Sequence, residues 1–146
     1  MKHEELLQEL GKILNMDLSF DEEGNCLFLV EDKYSLCIRS DEENDRIILL
    51  GNVADELPEP VDYSLVTDLL DFGMAPILAG GPAIGRDPET GILTAWAFVM
   101  TKKITADDFI QAVKRFMEFQ VVISDRIAGN DTDEESEPGD LQFINA

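Results

Sequence analysis

Three consecutive segments carry apolar residues on both faces of the strands that they predict. Residues 26–31, 34–40 and 46–53 are short, rich in Leu, Ile, Val and Phe, and separated by polar turns. Consecutive strands joined by such short loops pair antiparallel. The segments therefore predict a three-stranded antiparallel unit, and the rest of the fold has to cover its apolar faces.

The turn between the first two strands decides which side chains share a face. A two-residue hairpin at Asp32-Lys33 places Cys37 opposite Phe28 and Cys26 opposite Arg39. In that register the predicted core face consists of Leu27, Leu29, Tyr34, Leu36 and Ile38. The other face carries Cys26, Phe28, Val30 and Cys37, diluted only by Ser35 and Arg39. An antiparallel sheet with one solvated face usually alternates more cleanly than this.

Helical patterns flank these strands. Residues 3–14 place Leu and Ile at helical spacing, and residues 62–72 repeat the pattern before Gly73, a plausible stop. A small-residue loop enters a short strand at 74–85, the turn DPETG leads into a strand at 92–100, and Thr105 caps a long helix that reaches Ala128. The order α-β-β-β-α-β-β-α predicts an α+β fold, with a twisted antiparallel sheet of about five strands and three helices.

Length and charge limit the classes of function. The chain has 146 residues, 31 Asp and Glu against 11 Lys and Arg, and a net charge of -20. This charge disfavours nucleic acid and anionic membranes as partners, and no apolar run is long enough to span a bilayer. Charges interrupt the N-terminal apolar residues, so we expect no signal peptide, reduced thiols and a cytoplasmic location. We expect one domain at 1–129 and a disordered acidic tail at 130–146 that ends in LQFINA.

No motif indicates catalysis or a cofactor. An EF-hand loop with Gly24 at its sixth position would have Val30 where the bidentate Glu belongs. Gly80 and Gly85 have the spacing of a phosphate-binding loop, but Arg86-Asp87 replaces Lys-Ser/Thr. His3 is the only histidine, and we expect it near a frayed terminus. These motifs favour a protein without enzymatic activity, metal or other cofactor, and a small enzyme or metal-binding domain is the least favoured alternative.

The sequence predicts more apolar surface than one sheet packed against one layer of helices buries. Residues 47–50 and 92–100 are apolar on both faces, and residues 116–123 carry six apolar side chains in eight positions. Two interpretations stay open: the helices wrap both faces of the sheet, or another chain covers one of them.

One family shows the same succession of segments. FDEEGNC, LFLVED, a further strand, and GGPAIG leading to the DPETG hairpin and an apolar strand resemble the class I type III secretion chaperones, the Tir-chaperone (CesT-like) family of Gram-negative bacteria. The resemblance covers roughly residues 4–128. Small size, acidity and the leading amphipathic helix agree with it.

The resemblance implies a homodimer in the bacterial cytoplasm that binds the N-terminal segment of a secreted effector in extended form. Such a protein keeps its client soluble and ready for secretion, without ATP or bond chemistry, and a client strand adds to a sheet edge. The implied effector-binding residues are Phe28, Val30, Cys37, Ile47 and Leu49. The implied dimer-interface residues are Leu69, Phe72, Trp96 and Phe98. The alternative is a regulatory or scaffold protein of the same fold that binds a secretion regulator.

Overall fold

A computed structural model describes residues 1–129, and the predicted acidic tail at 130–146 lies outside this range. The elements follow one another as α1 (His3–Leu14), β1 (Asn25–Val30), β2 (Tyr34–Asp41), a 3₁₀ turn (Glu42–Asn44), β3 (Arg46–Ala54), α2 (Tyr63–Phe72), α3 (Ala75–Leu78), β4 (Ala83–Arg86), β5 (Leu93–Met100) and α4 (Ala106–Ala128). The strands form one antiparallel sheet in the order β1-β2-β3-β5-β4. The predicted α+β fold is confirmed, with α3 as an additional short helix.

The longest helix begins and ends where local chemistry dictates. The Thr105 hydroxyl accepts a hydrogen bond from the Asp108 N–H, and the Asp108 carboxylate accepts one from the Thr105 N–H, which forms a capping box. Gly129 ends the helix at a φ of 79°, in the left-handed region that glycine adopts without strain. These two signals explain why the sequence predicts both ends of α4 correctly.

One face of the sheet packs against α1 and α4 and forms the core. Leu36, Ile38, Ile47 and Leu49 supply the sheet side, and each is fully buried. The helices contribute a larger set of buried side chains: Leu6, Leu7, Leu10, Phe109, Phe116 and Met117. At ~1.5–3 kcal/mol for each buried large apolar side chain, this layer supplies most of the stabilising free energy.

Gln120 connects α4 to the sheet through two backbone carbonyls. Its Nε2 donates to the Ser35 and Asn52 carbonyl oxygens, at 2.8 Å and 3.0 Å. The amide lies over Gly51, where an added Cβ would come within 2.5 Å of the Gln120 side chain. Glycine at position 51 therefore makes room for a polar clamp between the long helix and strands β2 and β3.

The N-terminal histidine is part of the packed structure. His3 is only 6% exposed, and its Nδ1 and Nε2 lie 2.6 Å from Ser40 Oγ and 2.8 Å from Thr101 Oγ1. The prediction of a frayed His3 is wrong, because these two hydroxyls hold the first turn of α1 against the ends of β2 and β5.

The register of the first hairpin differs from the predicted one. Val30 pairs with Tyr34 and Phe28 pairs with Leu36, so the loop has three residues, 31–33, instead of two. Glu31 and Asp32 take positive φ angles of 55° and 56° to close it. A shift by one residue transfers every side chain of a strand to the opposite face. Phe28 therefore faces the core with Leu36, while Leu27 and Leu29 face outward.

The second helix ends at Phe72 as predicted, and a short helix follows it. Gly73 has a right-handed φ of -64°, and α3 (Ala75–Leu78) follows where the sequence predicts a loop. Gly80 then takes a φ of 68° on the way to β4. Gly80 thus supplies the left-handed residue after α3, and Gly73 marks the end of α2.

Candidate functional site

The face of the sheet opposite the core carries a row of apolar side chains, with Ser35 and Arg39 beside it. Cross-strand pairs join Leu27 to Cys37, Cys37 to Leu50, Leu50 to Trp96 and Trp96 to Ala83, so one row crosses all five strands. Side chains directly opposite one another lie on the same face of a sheet. We name as the open face the following residues: Leu27, Leu29, Cys37, Ile48, Leu50, Trp96, Phe98 and Met100.

The open face remains accessible within the described part of the chain. Leu27 is 74% exposed, Leu29 is 52% exposed and Met100 is 60% exposed. The central members, such as Leu50 and Trp96, are half-buried because neighbouring side chains surround them. The helices that pack on the core leave this face uncovered in residues 1–129. An exposed apolar surface that crosses four strands of a sheet is typical of a binding site for another polypeptide.

One end of the open face is ordered by aromatic and charged contacts. The rings of Trp96 and Phe98 lie 5.2 Å apart, and the Arg46 guanidinium lies 4.2 Å from the Phe98 ring centre. Arg46 Nε also donates to Asp41 Oδ2 at 2.7 Å. Hydrogen bonds from Asn44 and then Arg46 lower the pKa of Asp41, since they stabilise its charged form. The aromatic pair is therefore held in place before any ligand binds.

The two cysteines lie on opposite faces of the sheet. Cys37 pairs with Leu27 on the open face, whereas Cys26 pairs with Ile38 and is buried in the core. Burial raises the pKa of both thiols, because it disfavours the thiolate. Both thiols are free. Cys37 thus behaves as a small apolar member of the open face.

A second apolar surface lies on α2 and α3, and we name it the α2–α3 patch. Its members are all exposed: Tyr63, Leu70, Met74, Ile77 and Leu78. Ile77 is the most accessible residue of α3, at 79%. The patch is separate from the open face, because α2 packs near Ile84 and Leu93, whose side chains belong to the core side of β4 and β5. The molecule therefore presents two distinct apolar surfaces.

The predicted effector-binding residues do not form an exposed surface. Phe28, Val30, Ile47 and Leu49 are buried in the core, and Cys37 alone lies on the open face. The prediction that these residues share an accessible face is wrong for the four buried ones, and for Phe28 and Val30 the reason is the two-residue hairpin on which it rests. A strand register predicted from a three-residue loop places Leu27 and Leu29 on the exposed face of the sheet. The side chains of β3 also alternate between the two faces. Ile48 and Leu50 face outward, and Ile47 and Leu49, which were expected on the accessible face, lie in the core.

The predicted dimer residues divide between two places. Leu69 and Phe72 are half-buried against the core side, and Phe72 packs edge-to-face on Phe119 with ring centres 5.5 Å apart. Trp96 and Phe98 lie on the open face. The structure does not bring the four together, and their role in self-association stays a prediction. The sequence analysis missed the α2–α3 patch, because an unassigned α3 leaves Ile77 and Leu78 in a loop.

Among residues 1–129, no three His, Cys, Asp or Glu side chains come together in a way that would hold a metal ion. Over the same range, no helix combines the length and the apolar character needed to cross a bilayer.

A five-stranded antiparallel sheet with helices on one face and an open apolar face on the other is the arrangement of a polypeptide-binding protein. The family model of the Tir chaperone protein (CesT) family matches residues 5–121. The chain belongs to this family, and it is a chaperone of the type III secretion class. No curated protein matches the chain.

Solved structures share the fold at low sequence identity. One is the HopA1-SchA chaperone–effector complex, with 23% identity, a TM-score of 0.68, and coverage of 80% of this chain and 88% of the other. A second is the ExsC-ExsE complex, with 20% identity, a TM-score of 0.71, and coverage of 85% and 92%. A third is the heterodimeric ExoU-SpcU complex of the type III secretion system of Pseudomonas aeruginosa, with 13% identity, a TM-score of 0.65, and coverage of 84% and 98%.

Proposed function

We propose that this protein acts in the bacterial cytoplasm as a homodimer that binds the N-terminal segment of a secreted effector in extended form. The observation that carries the proposal is the apolar row from Leu27 through Cys37, Leu50 and Trp96, which crosses four strands of the sheet on its uncovered face. The HopA1-SchA and ExoU-SpcU complexes, which share this fold, support an effector as the partner.

An extended client needs a long contact. Ordering one residue of an unfolded segment costs ~1–2 kcal/mol in backbone entropy, so ten ordered residues cost ~10–20 kcal/mol. A single pocket does not offset that cost, but a surface that spans four strands accepts several apolar anchors at once. Chaperone action then consists of binding alone, which keeps apolar client residues out of water and the segment unfolded.

In this proposal, two copies of the chain associate through the α2–α3 patch. The α2–α3 patch exposes Leu70, Ile77 and Leu78, which is a large apolar area for a single helical edge. Burying it against a second copy leaves both open faces available to one client chain. A client that contacts two copies gains affinity, because binding of its first half raises the effective concentration of its second half at the other copy.

The test is a binding experiment with matched variants. The N-terminal segments of the secreted proteins of the host are co-expressed with the chaperone, and complexes are identified by native mass spectrometry. Leu27→Asp combined with Met100→Asp adds two charges at opposite ends of the open face and is expected to weaken binding at least 100-fold. Ile13→Asp, which adds a charge to an exposed apolar position on α1, is the control and is expected to bind like the wild type.

Two results would reject the proposal. Equal client affinity in the open-face variant and the control would show that the open face is not the binding site. Recovery of a secretion regulator in place of every effector segment would favour the alternative, a regulatory protein of the same fold.

A further inference from the structure

Cross-strand pairing sorts the side of the sheet that carries the open face into rows of different chemistry. The apolar row runs through Leu27, Cys37, Leu50 and Trp96. The row on one side of it begins at Leu29 and continues with neutral polar side chains: Ser35, Asn52 and Thr94. The row on its other side consists of Asn25, Arg39, Ile48 and Phe98. The apolar row therefore has a neutral flank and a flank that carries a cation.

The neutral flank is hydrogen-bonded within itself. Thr94 Oγ1 donates to Asn52 Oδ1 at 3.4 Å, and Asn52 N donates to Ser35 Oγ at the same distance. Because these groups satisfy one another and none is charged, this flank does not distinguish an acid from a base in a bound segment. Any discrimination between charges has to come from the other flank.

The cationic flank has one charge without a partner. Three charged side chains project from the strands on this side of the sheet within residues 1–129: Arg39, Asp41 and Arg46. Two of them form an ion pair, since Arg46 Nε donates to Asp41 Oδ2 at 2.7 Å. Arg39 is exposed, and within the described residues its guanidinium makes no hydrogen bond or ion pair. Its cross-strand neighbours, Asn25 and Ile48, are uncharged.

The charge of Arg39 acts on the apolar row. Cys37 and Arg39 are two positions apart on β2, so their side chains share a face at a separation of ~7 Å. Burial raises the pKa of the Cys37 thiol, and the Arg39 charge opposes that rise because it favours the thiolate. Asp21 acts in the opposite sense, but its carboxylate already accepts from the Glu23 and Asn25 N–H groups. An anionic side chain that lies over this part of the row is favoured by the same attraction to Arg39.

This local charge is opposite in sign to that of the whole chain. The net charge of -20 repels an acidic segment at a distance and attracts a basic one. An apolar surface that recognised its ligand by hydrophobic contact alone would therefore prefer basic segments on this protein. An unpaired guanidinium beside the apolar row reverses that preference at close range.

We propose that Arg39 determines which segments bind: the open face takes an extended apolar segment that carries an Asp or Glu within two residues of the side chain over Cys37. This inference rests on the proposed function and adds the class of sequence that the surface accepts. A guanidinium and a carboxylate pair through two parallel N–H···O bonds, which gives the contact a defined geometry. The apolar row supplies affinity, and the ion pair supplies discrimination between segments.

A set of synthetic peptides tests the selection on the full-length protein. Each peptide has about ten residues, enough to cross four strands at ~4.8 Å each, and alternates Leu with Ser. Asp, Asn or Lys replaces each position in turn, and fluorescence anisotropy measures the affinity. The best Asp peptide is expected to bind about 10-fold more tightly than the Lys peptide of the same position. The difference is expected to shrink between ~0.1 M and ~1 M salt, because salt screens exposed charges.

Matched variants assign the preference to one side chain. Arg39→Gln is expected to remove the preference for Asp, and Arg39→Glu is expected to reverse it in favour of Lys. Arg115→Glu is the control, because Arg115 is an exposed arginine on α4, which packs on the other face of the sheet. It changes the net charge as Arg39→Glu does, and it is expected to keep the Asp preference of the wild type.

The possible failures are distinguishable. A wild type that binds Lys peptides as tightly as Asp peptides, or more tightly, overturns the inference and leaves the proposed function in place. An Asp preference that survives in Arg39→Gln, or that disappears in Arg115→Glu, also overturns it, since the preference then comes from elsewhere than Arg39. If no peptide of the set binds any form of the protein, the open face does not accept extended apolar segments, and the proposed function fails together with this inference.

Discussion

Leu50 of β3 lies directly opposite Trp96 of β5, on the face of the sheet that the helices leave open. The same row continues through Cys37 on one side and Ala83 on the other. A large aromatic side chain in the middle of an apolar row provides a rigid contact that loses little entropy on binding. We expect this pair to be the centre of the client contact, with the more exposed Leu27 and Met100 at its borders.

The contact between Gly51 and Gln120 predicts a large effect from a single methyl group. Gly51→Ala places a Cβ within 2.5 Å of the Gln120 side chain and is expected to lower the free energy of unfolding by ~1–3 kcal/mol. Gly85→Ala is the matched control, because it also lies in a strand, yet nothing comes within 4 Å of its added Cβ. Urea unfolding followed by circular dichroism measures both. A Gly51 variant as stable as the Gly85 variant would contradict the close packing of Gln120.

The hydrogen bonds of Asp41 predict a specific dependence of stability on pH. The folded-state pKa of Asp41 lies below its ordinary value, so its ionised form stabilises the fold at neutral pH. That contribution is lost as the pH falls below about 4 and the carboxylate binds a proton. Asp41→Asn is therefore expected to be less stable than the wild type at pH 7, with a difference that shrinks toward pH 2.

Thermal unfolding at several pH values measures this difference. Taking the difference between two proteins removes the larger pH effect of the many other carboxylates. Asp21→Asn is an unsuitable control, because the Asp21 carboxylate accepts from the Glu23 and Asn25 N–H groups. Glu43→Gln is suitable, since Glu43 is an exposed acid in the neighbouring 3₁₀ turn. A stability difference for Asp41→Asn that does not change with pH would argue against the ion pair with Arg46.

The positions of the two thiols predict unequal alkylation. Cys37 lies half-buried on the open face and Cys26 is buried in the core, so a maleimide is expected to label Cys37 first. Both reactions are expected to be slower than that of a free-thiol peptide, because burial raises both pKa values and lowers the thiolate fraction. Mass spectrometry of Cys26→Ser and Cys37→Ser separates the two rates. A bound client is expected to protect Cys37, and faster labelling of Cys26 would contradict the observed register of β1 and β2.

Charges introduced on the α2–α3 patch are expected to prevent formation of the proposed dimer. Leu70→Asp with Ile77→Asp places two charges on the patch, whose side chains are exposed and make few contacts within the chain, so folding is expected to be retained. We expect this variant to be monomeric at micromolar concentrations where the wild type is a dimer. Light scattering after size-exclusion chromatography measures the mass.

Ile13→Asp with Met16→Asp is the control for the dimer experiment. These residues are apolar and partly exposed like the patch, but they lie at the end of α1. The control is expected to remain dimeric. A dimeric Leu70/Ile77 variant together with a monomeric Trp96→Ala variant would move the interface to the open face, in agreement with the dimer residues that the family resemblance implies.

Much of the secondary structure follows from local patterns in the sequence. The periodicity of Leu6, Leu10 and Leu14 predicts α1, and the capping box at Thr105 and Asp108 predicts the start of α4. These signals act over three or four residues, so they can be recognised without the fold. Strand β2 likewise presents Leu36 and Ile38 to the core as predicted.

The candidate site depends on information of longer range. Leu27 and Phe28 are both large and apolar, so hydrophobicity does not decide which of them faces the core. His3 is solvated or buried according to the positions of Ser40 and Thr101, which are distant in the chain. The short helix at Ala75–Leu78 lacks a run long enough to be recognised from its own residues, since isolated turns of helix are marginal without packing.

The sequence by itself therefore determined the order of the elements, the amphipathic helices and the family. The tertiary structure decided which half of the apolar side chains remains outside, and hence where another chain can bind. The physical reason is the twofold period of a strand: one additional residue in the loop at 31–33 exchanges its faces. Local propensity does not distinguish the two registers, and burial of Phe28 and Val30 in the core, in place of Leu27 and Leu29, selects one.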